Sequence, residues 1–552
     1  MKHKNINYLI DKAVKNFKKN NFNQTENLLK SVLSIEDKNL FALNLMGIVQ
    51  DIKKNYQSAI DYYEKVITLK PDHIESWLNK GNAFYKIKDY KKAIESYQQT
   101  IKFKSDYAEA WFNIGNAFQE IKDFNNAIDH YDKAIKFKSD YADAFFNKGC
   151  VLHELKKFDE ALINYNRAIS LQPNYSKIWS NLGNLLYDLK RYEEALQHYD
   201  QAIKLKPDYA EAWSNKGYTL HELMRFEEAL QHYDQAIKLN PEHVQACSNK
   251  AHTKLLTGNF EEGWILYESR WKKKEFQQYR HSKYTELTSL ENLNEKKILV
   301  WHEQGYGDVI QFSRYVAKLI VLGANITFEV QKDLLNFFSN QFNCHIVSNI
   351  NEINNLDYQI PLLKLPKLFK TNINTIPDVC KITIDPSKIL EQKKFLQNKE
   401  NKINIGLAVS GNPNYKHNQK RSIPLEYFKP LLNYGNFFLI QKQLNQTDQK
   451  FLNENPLIAY IGDKINNFTD TASIIENMDL IITVDTSLIH LAGTLNKKSF
   501  LMLPWCPEWR WLLNVNYSPW YPSVKIFRQK SMGNWDSVII EIQKEIINEK
   551  LD

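Results

Sequence analysis

From Trp77 a step of 34 residues reaches Trp111, Phe145, Trp179, Trp213 and Cys247 without slipping. The same step carries Gly81 to Gly115, Gly149, Gly183 and Gly217. It also carries Ala93 to Ala127, Ala161, Ala195 and Ala229, and Tyr97 to Tyr131, Tyr165, Tyr199 and Tyr233. A period of this length holds one supersecondary unit that cannot bury its apolar face alone, so units must stack into a solenoid. The large, small and aromatic places suit two antiparallel helices per unit, Trp and Gly on the first packing against Ala and Tyr on the second. Pro71, Pro173, Pro207 and Pro241 break the chain between units, because proline cannot continue a helix.

This is the tetratricopeptide pattern. Leu43, Gly47, Tyr56, Ala59 and Tyr63 form a further unit upstream, and Leu9, Ala13, Phe22 and Leu29 a degenerate first one suited to capping. Phe260, Gly263 and Tyr267 extend the register to a last, imperfect unit ending near Trp271. The expected repeat domain is therefore residues 1–277, an α-solenoid of about seven to eight repeats. Asn79, Asn113, Asn147, Asn181, Asn215 and Asn249 share one place on the first helices. A carboxamide both donates and accepts, so such a ladder can clamp an extended peptide by its backbone. Asparagine is also common at this place in idealised repeats, and the two readings stand side by side. The expected partner of the array is a protein or peptide.

Composition narrows the rest. At 552 residues the chain has room for roughly three or four domains. Hydrophobic content of 43% and charge of 25% are ordinary for a soluble protein, and no stretch approaches the ~18 apolar residues of a membrane helix. The start of the chain has no apolar signal core, so a cytoplasmic protein is expected. Cys150, Cys247, Cys344, Cys380 and Cys506 lack paired spacing, which points to reduced thiols, with neither a disulfide framework nor a zinc site. The net charge of +8 is too diffuse for a nucleic-acid surface. It supports a mild attraction to anionic ligands and leaves peripheral membrane contact open.

After a polar, irregular stretch at 278–297, expected to be a linker, apolar runs alternate with helical patterns. Strands are expected at Ile298–Trp301, Ile326–Val330, His345–Val347 and Tyr358–Ile360. Pro361, Pro366 and Pro377 then break the pattern. A second set follows at Ile403–Val409, Phe437–Gln441, Ile458–Ile461, Leu480–Val484 and Ser499–Leu503. Alternating βα units imply parallel sheets, and two such sets imply two Rossmann-like lobes, at 298–398 and 399–552. Ligands in such sheets gather at the carboxyl ends of the strands.

Three of those ends carry suggestive chemistry. After Trp301 come Gly305, Gly307 and Asp308, with Asp308 expected to cap one helix running to Gly323. After Val409 comes a loop with Asn412, Lys416, Lys420 and Arg421, cations able to neutralise a diphosphate. After Val484 come Asp485, Thr486 and Ser487 at a helix start, with His490 one turn on, where free N–H groups and hydroxyls suit a phosphate. Each feature alone reads equally as a capped helix or a solvated loop. Their joint position at strand ends favours one shared cleft. Gln441, at another strand end, is placed at the nucleotide pocket by position.

The ordered set resembles bacterial tetratricopeptide proteins fused to a family 9-like glycosyltransferase module related to the heptosyltransferases. The matching segments are Glu303–Asp308, Gln311–Tyr315, Gly411–Pro413, Arg421–Ser422, Val484–Gly493, Trp509–Trp511, Ser518–Pro522 and Phe527–Gln529. The architecture is also similar to that of the O-linked N-acetylglucosamine transferases. The resemblance implies a GT-B fold, with the first lobe on the acceptor side and the second on the nucleotide-sugar side. By motif match Asp308 would deprotonate the acceptor hydroxyl, Thr486 and Ser487 would hold the diphosphate, and Asp485 the donor sugar. Lys416 and Lys420 compete for the family's central-loop lysine.

Sugar transfer needs a carboxylate to take a proton and donors to stabilise the leaving diphosphate. No Asp-x-Asp pair occurs, so no metal or other cofactor is expected. The expected function is an inverting glycosyltransferase acting on an acceptor recruited by the repeats, with a protein as the candidate acceptor. The alternatives are a heptosyltransferase-type enzyme of cell-surface glycan assembly and a non-catalytic scaffold with a vestigial transferase half.

Overall fold

The computed structural model describes residues 2–273, 279–339, 341–349, 355–396, 402–413 and 418–549. The chain divides into two compact units, Met1–Thr219 and Leu220–Asp552. Among the described residues the repeats supply sixteen helices, from Lys2–Lys18 to Phe260–Tyr267. The first twelve and most of the thirteenth lie in the first unit.

In the first unit the recurring residues explain one another. A Cβ on Gly81 would stand 2.5 Å from the ring of Tyr97, and Gly47, Gly115, Gly149 and Gly183 face Tyr63, Tyr131, Tyr165 and Tyr199 in the same way. The glycine therefore makes room for a fully buried ring on the second helix. The indole N–H groups of Trp77, Trp111, Trp179 and Trp213 donate to the carbonyls of Pro71, Ser105, Pro173 and Pro207 at 2.8–2.9 Å. Each tryptophan thus ties its helix to the preceding turn. Between the two helices of each unit one residue takes a left-handed backbone: Asn20, Lys54, Lys88, Lys122, Lys156 and Lys190, with φ between 60° and 64°. That position is invisible in the sequence because lysine carries no turn signal.

The second unit begins with the last repeat helices, Phe226–Leu239, Val244–Leu256 and Phe260–Tyr267, followed by a 3-10 turn at Glu268–Lys272. Four parallel strands come next: β1 (Lys297–Trp301), β2 (Asn325–Glu329), β3 (His345–Val347) and β4 (Tyr358–Pro361), in the order β3-β2-β1-β4. A six-stranded parallel sheet follows: β5 (Asn404–Ala408), β6 (Asn436–Leu439), β7 (Ile458–Tyr460), β8 (Leu480–Val484), β9 (Ser499–Leu503) and β10 (Val524–Arg528). Its order is β10-β9-β8-β5-β6-β7. The chain reverses direction across the sheet between β1 and β4 and again between β5 and β8, the switch points at which open α/β sheets form crevices. β10 was not anticipated as a strand, because its alternation Val524-Lys525-Ile526 is brief and charged.

The expected linker at 278–297 is packed rather than loose over its described part. Leu287 and Leu293 are buried, Glu286 bridges to Gln359 of β4, and Arg280 and His281 both hold the buried carboxylate of Glu329. Its polarity comes from ion pairing, which a reading of apolar period scores as loop. The boundary expected at residue 277 is also not where the compact units part. Trp264 and Tyr267 share one apolar core with Ile298 and Val300 of β1, Phe312, Tyr315 and Trp509.

The helix after β1 starts at Tyr306, with Gly305 as its cap and Asp308 in the third helical position rather than at the cap. The Gly305 N–H donates to Asp308 Oδ2 at 3.1 Å, closing the first turn from within. The expected single helix is two, Tyr306–Phe312 and Arg314–Val321, broken at Ser313. Gly323, at φ +84°, ends the second one as anticipated.

Candidate functional site

Two strand-end helices, one from each sheet, meet at Gly307. A Cβ there would lie 2.7 Å from His490 Cδ2 and 3.5 Å from Ser487 Cα, so glycine is required for helix approach. Gly305 is under no such constraint, its nearest neighbour being Asp308 Oδ2 at 3.5 Å. Through this contact the Asp308 turn is brought up to the helix Ser487–Thr494, which Thr486 caps through its side-chain oxygen, accepting from the Leu488 N–H at 3.3 Å.

Asp308 is not a free carboxylate. Its Oδ1 is ion-paired with Arg510, which also donates from Nε to Gln311 Oε1 at 3.1 Å. Arg510 was not singled out individually; the only signal for it was its place in the motif Trp509-Arg510-Trp511. Burial opposes the Arg510 charge, and Asp308, Tyr267, Glu508 and Asp485 together more than offset that, leaving the guanidinium firmly protonated. Asp485 is buried and its carboxyl is pushed up by burial, while Arg421 and Arg510 pull it down and Asp308 adds to the rise. Glu508 is likewise raised by burial and feels Arg510, Arg421 and Asp308 together with Asp485. Asp308, Asp485, Glu508, Arg421 and Arg510 therefore form one charge cluster between the sheets' switch points.

His490 lies behind this cluster. It is buried, stacks on Trp511 with ring centres 5.4 Å apart, and shares a 3.2 Å hydrogen bond with the Tyr521 hydroxyl. Burial and nearby arginines hold its pKa well below the usual value, so it is a neutral packing residue and adds no positive charge for a phosphate.

The loop after β5 differs from expectation in two places. Lys420 pairs with Glu222 at 2.9 Å, so its charge is shared with the repeat helix Ala210–Glu222. Gln441 is engaged by the chain itself: its Oε1 accepts from the Val409 and Ser410 N–H groups at 2.8 and 3.1 Å, and its Nε2 donates to Ser410 Oγ. It fixes the exit of the chain from β5. Arg421 lies over Gly411, where a Cβ would meet its Nη2 at 2.5 Å. Asn412 is exposed, and Lys416 lies outside the described residues.

The last repeat supplies a wall to the same region. Arg270, in the 3-10 turn, pairs with Glu303 at 2.7 Å, with 3% and 1% of the two side chains exposed. Burial pushes the Glu303 carboxyl up to about 7 in spite of that partner. The Gln304 amide donates to the Tyr267 hydroxyl at 3.0 Å, and Trp264 and Tyr267 meet the Trp509 ring edge-on at 5.2 and 6.1 Å. Sequence reading gave none of the three repeat residues, Trp264, Tyr267 and Arg270, a site role.

Five of the six ladder asparagines make one side-chain hydrogen bond inside the array. Asn113 and Asn215 donate to Asn82 and Asn184, which also accept from the Tyr97 and Tyr199 hydroxyls. Asn147 and Tyr131 do the same to Asn116. Asn181 donates to the Lys177 carbonyl, Asn249 accepts from Gln245, and Asn79 makes no side-chain hydrogen bond among the described residues. A shallow groove of about 150 Å³ opens beside these amides, lined by Asn82, Tyr85, Lys86, Tyr97, Asn113 and Asn116. Among the described residues no three His, Cys, Asp or Glu side chains stand close enough to share a metal ion. No helix among them is long and apolar enough to cross a membrane.

Family comparison agrees with the packing. TPR-repeat models match residues 81–122 and 183–223, and tetratricopeptide-repeat models match 42–73, 108–141, 142–175, 164–197 and 210–243. The array is a tetratricopeptide-repeat solenoid. Among curated proteins, protein FlbA of Caulobacter vibrioides is 21% identical over 308 residues, covering 50% of each chain. The chain thus spans about half the length of that relative. Among solved structures, the tetratricopeptide array is similar to YrrB, described as a TPR protein with an unusual peptide-binding site, at 26% identity. That match covers 34% of this chain and 97% of that one, with a TM-score of 0.30. It is also similar to MamA at 26% identity, covering 30% and 97%, with a TM-score of 0.29. A tetratricopeptide protein from Parabacteroides merdae is 16% identical over 45% of this chain and 98% of that one, with a TM-score of 0.38.

Proposed function

We propose that the second unit is a GT-B glycosyltransferase and that the repeats present its acceptor, a protein segment. The observation that carries this reading is the approach of the two strand-end helices at Gly307, which gathers Asp308, Arg510, Asp485 and the Thr486 cap into one charged cluster. Two parallel sheets with their switch points facing such a cluster suit a nucleotide-sugar donor.

In the proposed reaction Asp308 accepts the proton of an acceptor hydroxyl. The oxygen forms a bond to the anomeric carbon, and the bond from that carbon to the diphosphate oxygen breaks, leaving a nucleoside diphosphate. The Thr486 hydroxyl, the N–H groups at the start of the Ser487 helix, and Arg421 are placed to stabilise the charge that develops on it. Neutral His490 packs behind the cluster, bonded to the Tyr521 hydroxyl, with its Nε2 3.9 Å from Asp485 Oδ1.

Tetratricopeptide arrays are protein-interaction modules, and the groove beside Asn82 and Asn116 is where this one offers partly used amides. The test is nucleotide release from UDP-, GDP-, ADP- and dTDP-sugars by the purified chain with cell extract, with Asp308→Ala in parallel. Release from one donor that disappears in the variant supports a transferase. Absence of both release and nucleotide binding would move the assignment to a scaffold.

A further inference from the structure

Both oxygens of Asp308 are occupied: Oδ1 by Arg510 and Oδ2 by the Gly305 N–H. An acceptor hydroxyl approaching Oδ1 would have to share that oxygen with the guanidinium. Arg510, in contrast, has capacity to spare. Its Nε serves Gln311 and its Nη2 serves Asp308, while Nη1 has no hydrogen-bond partner among the described residues. The side chain is 11% exposed and lies within electrostatic reach of Asp485, the residue that leads into the Thr486 cap. A second buried group at this spot is also unused: Gln311 is fully buried and its Nε2 has no partner. A guanidinium can make two parallel N–H bonds to a pair of phosphate oxygens, whereas Arg510 makes a single bond to Asp308 Oδ1.

Resting on the transferase reading, we propose that Arg510 is an exchange residue: it holds Asp308 while the donor site is empty and moves to the diphosphate when a nucleotide-sugar binds. Its departure frees Asp308 Oδ1 to accept the acceptor proton, so the base is armed only when a donor is present. Donor binding then precedes proton transfer, and the same arginine later stabilises the leaving diphosphate. Gln311 keeps hold of Nε, so the guanidinium turns about a fixed point.

Because Asp308 competes with the diphosphate for Arg510, removing its charge should tighten nucleotide binding, an effect that loss of fold cannot imitate. Calorimetric titration of the full chain with UDP, GDP, ADP and dTDP tests this in wild type, Asp308→Asn, Arg510→Gln and the double variant. The expected result is about tenfold tighter binding of the cognate diphosphate by Asp308→Asn, the scale of a typical coupling between two ligands. Arg510→Gln should bind roughly tenfold or more weakly, and the tightening should vanish in the double variant. Arg510→Lys should recover part of the affinity, because it restores charge without the fork. Unchanged or weaker binding by Asp308→Asn, or tightening that survives in the double variant, overturns the exchange while leaving the transferase reading intact. Failure of the wild type to bind any of the four nucleotides overturns both.

Discussion

Arg270 ends the last tetratricopeptide repeat and Glu303 follows the first strand of the α/β region, yet the two form a 2.7 Å ion pair that is almost wholly buried. The pair ties the repeat to the strand end from which the Asp308 turn springs. Removing Arg270 leaves a buried carboxyl that must take up a proton or stay unpaired, so Arg270→Ala should destabilise the second unit, by up to about 3–5 kcal/mol where Glu303 stays charged. Replacing both, as Arg270→Met with Glu303→Leu, should cost much less. Denaturant unfolding of the three proteins gives the comparison.

The same carboxyl predicts a pH effect. Burial raises Glu303 from 4.5 to about 7, so the folded chain retains a proton that the unfolded chain releases. Stability should fall as pH rises between those values, because the unfolded state binds fewer protons there. Glu303→Gln should flatten this part of the profile, and calorimetric melting of wild type and variant at pH 5, 6 and 7 (roughly the window of the shift) would show it as a smaller decline in the variant.

Gly305 and Gly307 stand two residues apart and should respond differently. Gly305→Ala meets nothing closer than 3.5 Å and should change stability by less than about 0.5 kcal/mol. Gly307→Ala drives a methyl to 2.7 Å from His490 and should cost about 1–3 kcal/mol. If the helices must touch for transfer, it should also reduce nucleotide release. Thermal melts with the donor panel separate the two effects.

Truncation should expose where the domains part. A chain beginning at Leu220 keeps Trp264, Tyr267 and Arg270 and should melt cooperatively; on the proposed transferase reading it should retain slow donor hydrolysis while losing transfer to a macromolecular acceptor. A chain beginning after residue 277 lacks these side chains and leaves Trp509 and Glu303 without their partners. It should expose apolar surface, seen as dye binding and loss of a cooperative melt.

The left-handed lysines give a further test within the first unit. Lys122 and Lys156 hold φ near +60°, a conformation glycine adopts without strain. Lys122→Gly or Lys156→Gly should be neutral or stabilising by up to about 1 kcal/mol, whereas glycine inside either neighbouring helix should destabilise by a similar amount. Urea titration of the single variants distinguishes the two.

The 34-residue period alone determined the solenoid, because glycine, alanine and tyrosine at fixed spacing describe a local packing unit. Gly81 and Tyr97 are in contact and only 16 residues apart. The apolar runs likewise placed nine strands to within a residue or two at their ends, since a strand buried on both faces needs a continuous hydrophobic segment. The pairings of charge were beyond that reading. Arg510 reaches Asp308 across about 200 residues of chain, Lys420 is claimed by Glu222, and Arg270 enters the site from a repeat. None has a local pattern, because an ion pair needs only proximity in space and leaves no periodicity along the chain. The tertiary structure alone decided these partners, and with them that the last repeat belongs to the α/β core and that Asp308 is held by an arginine.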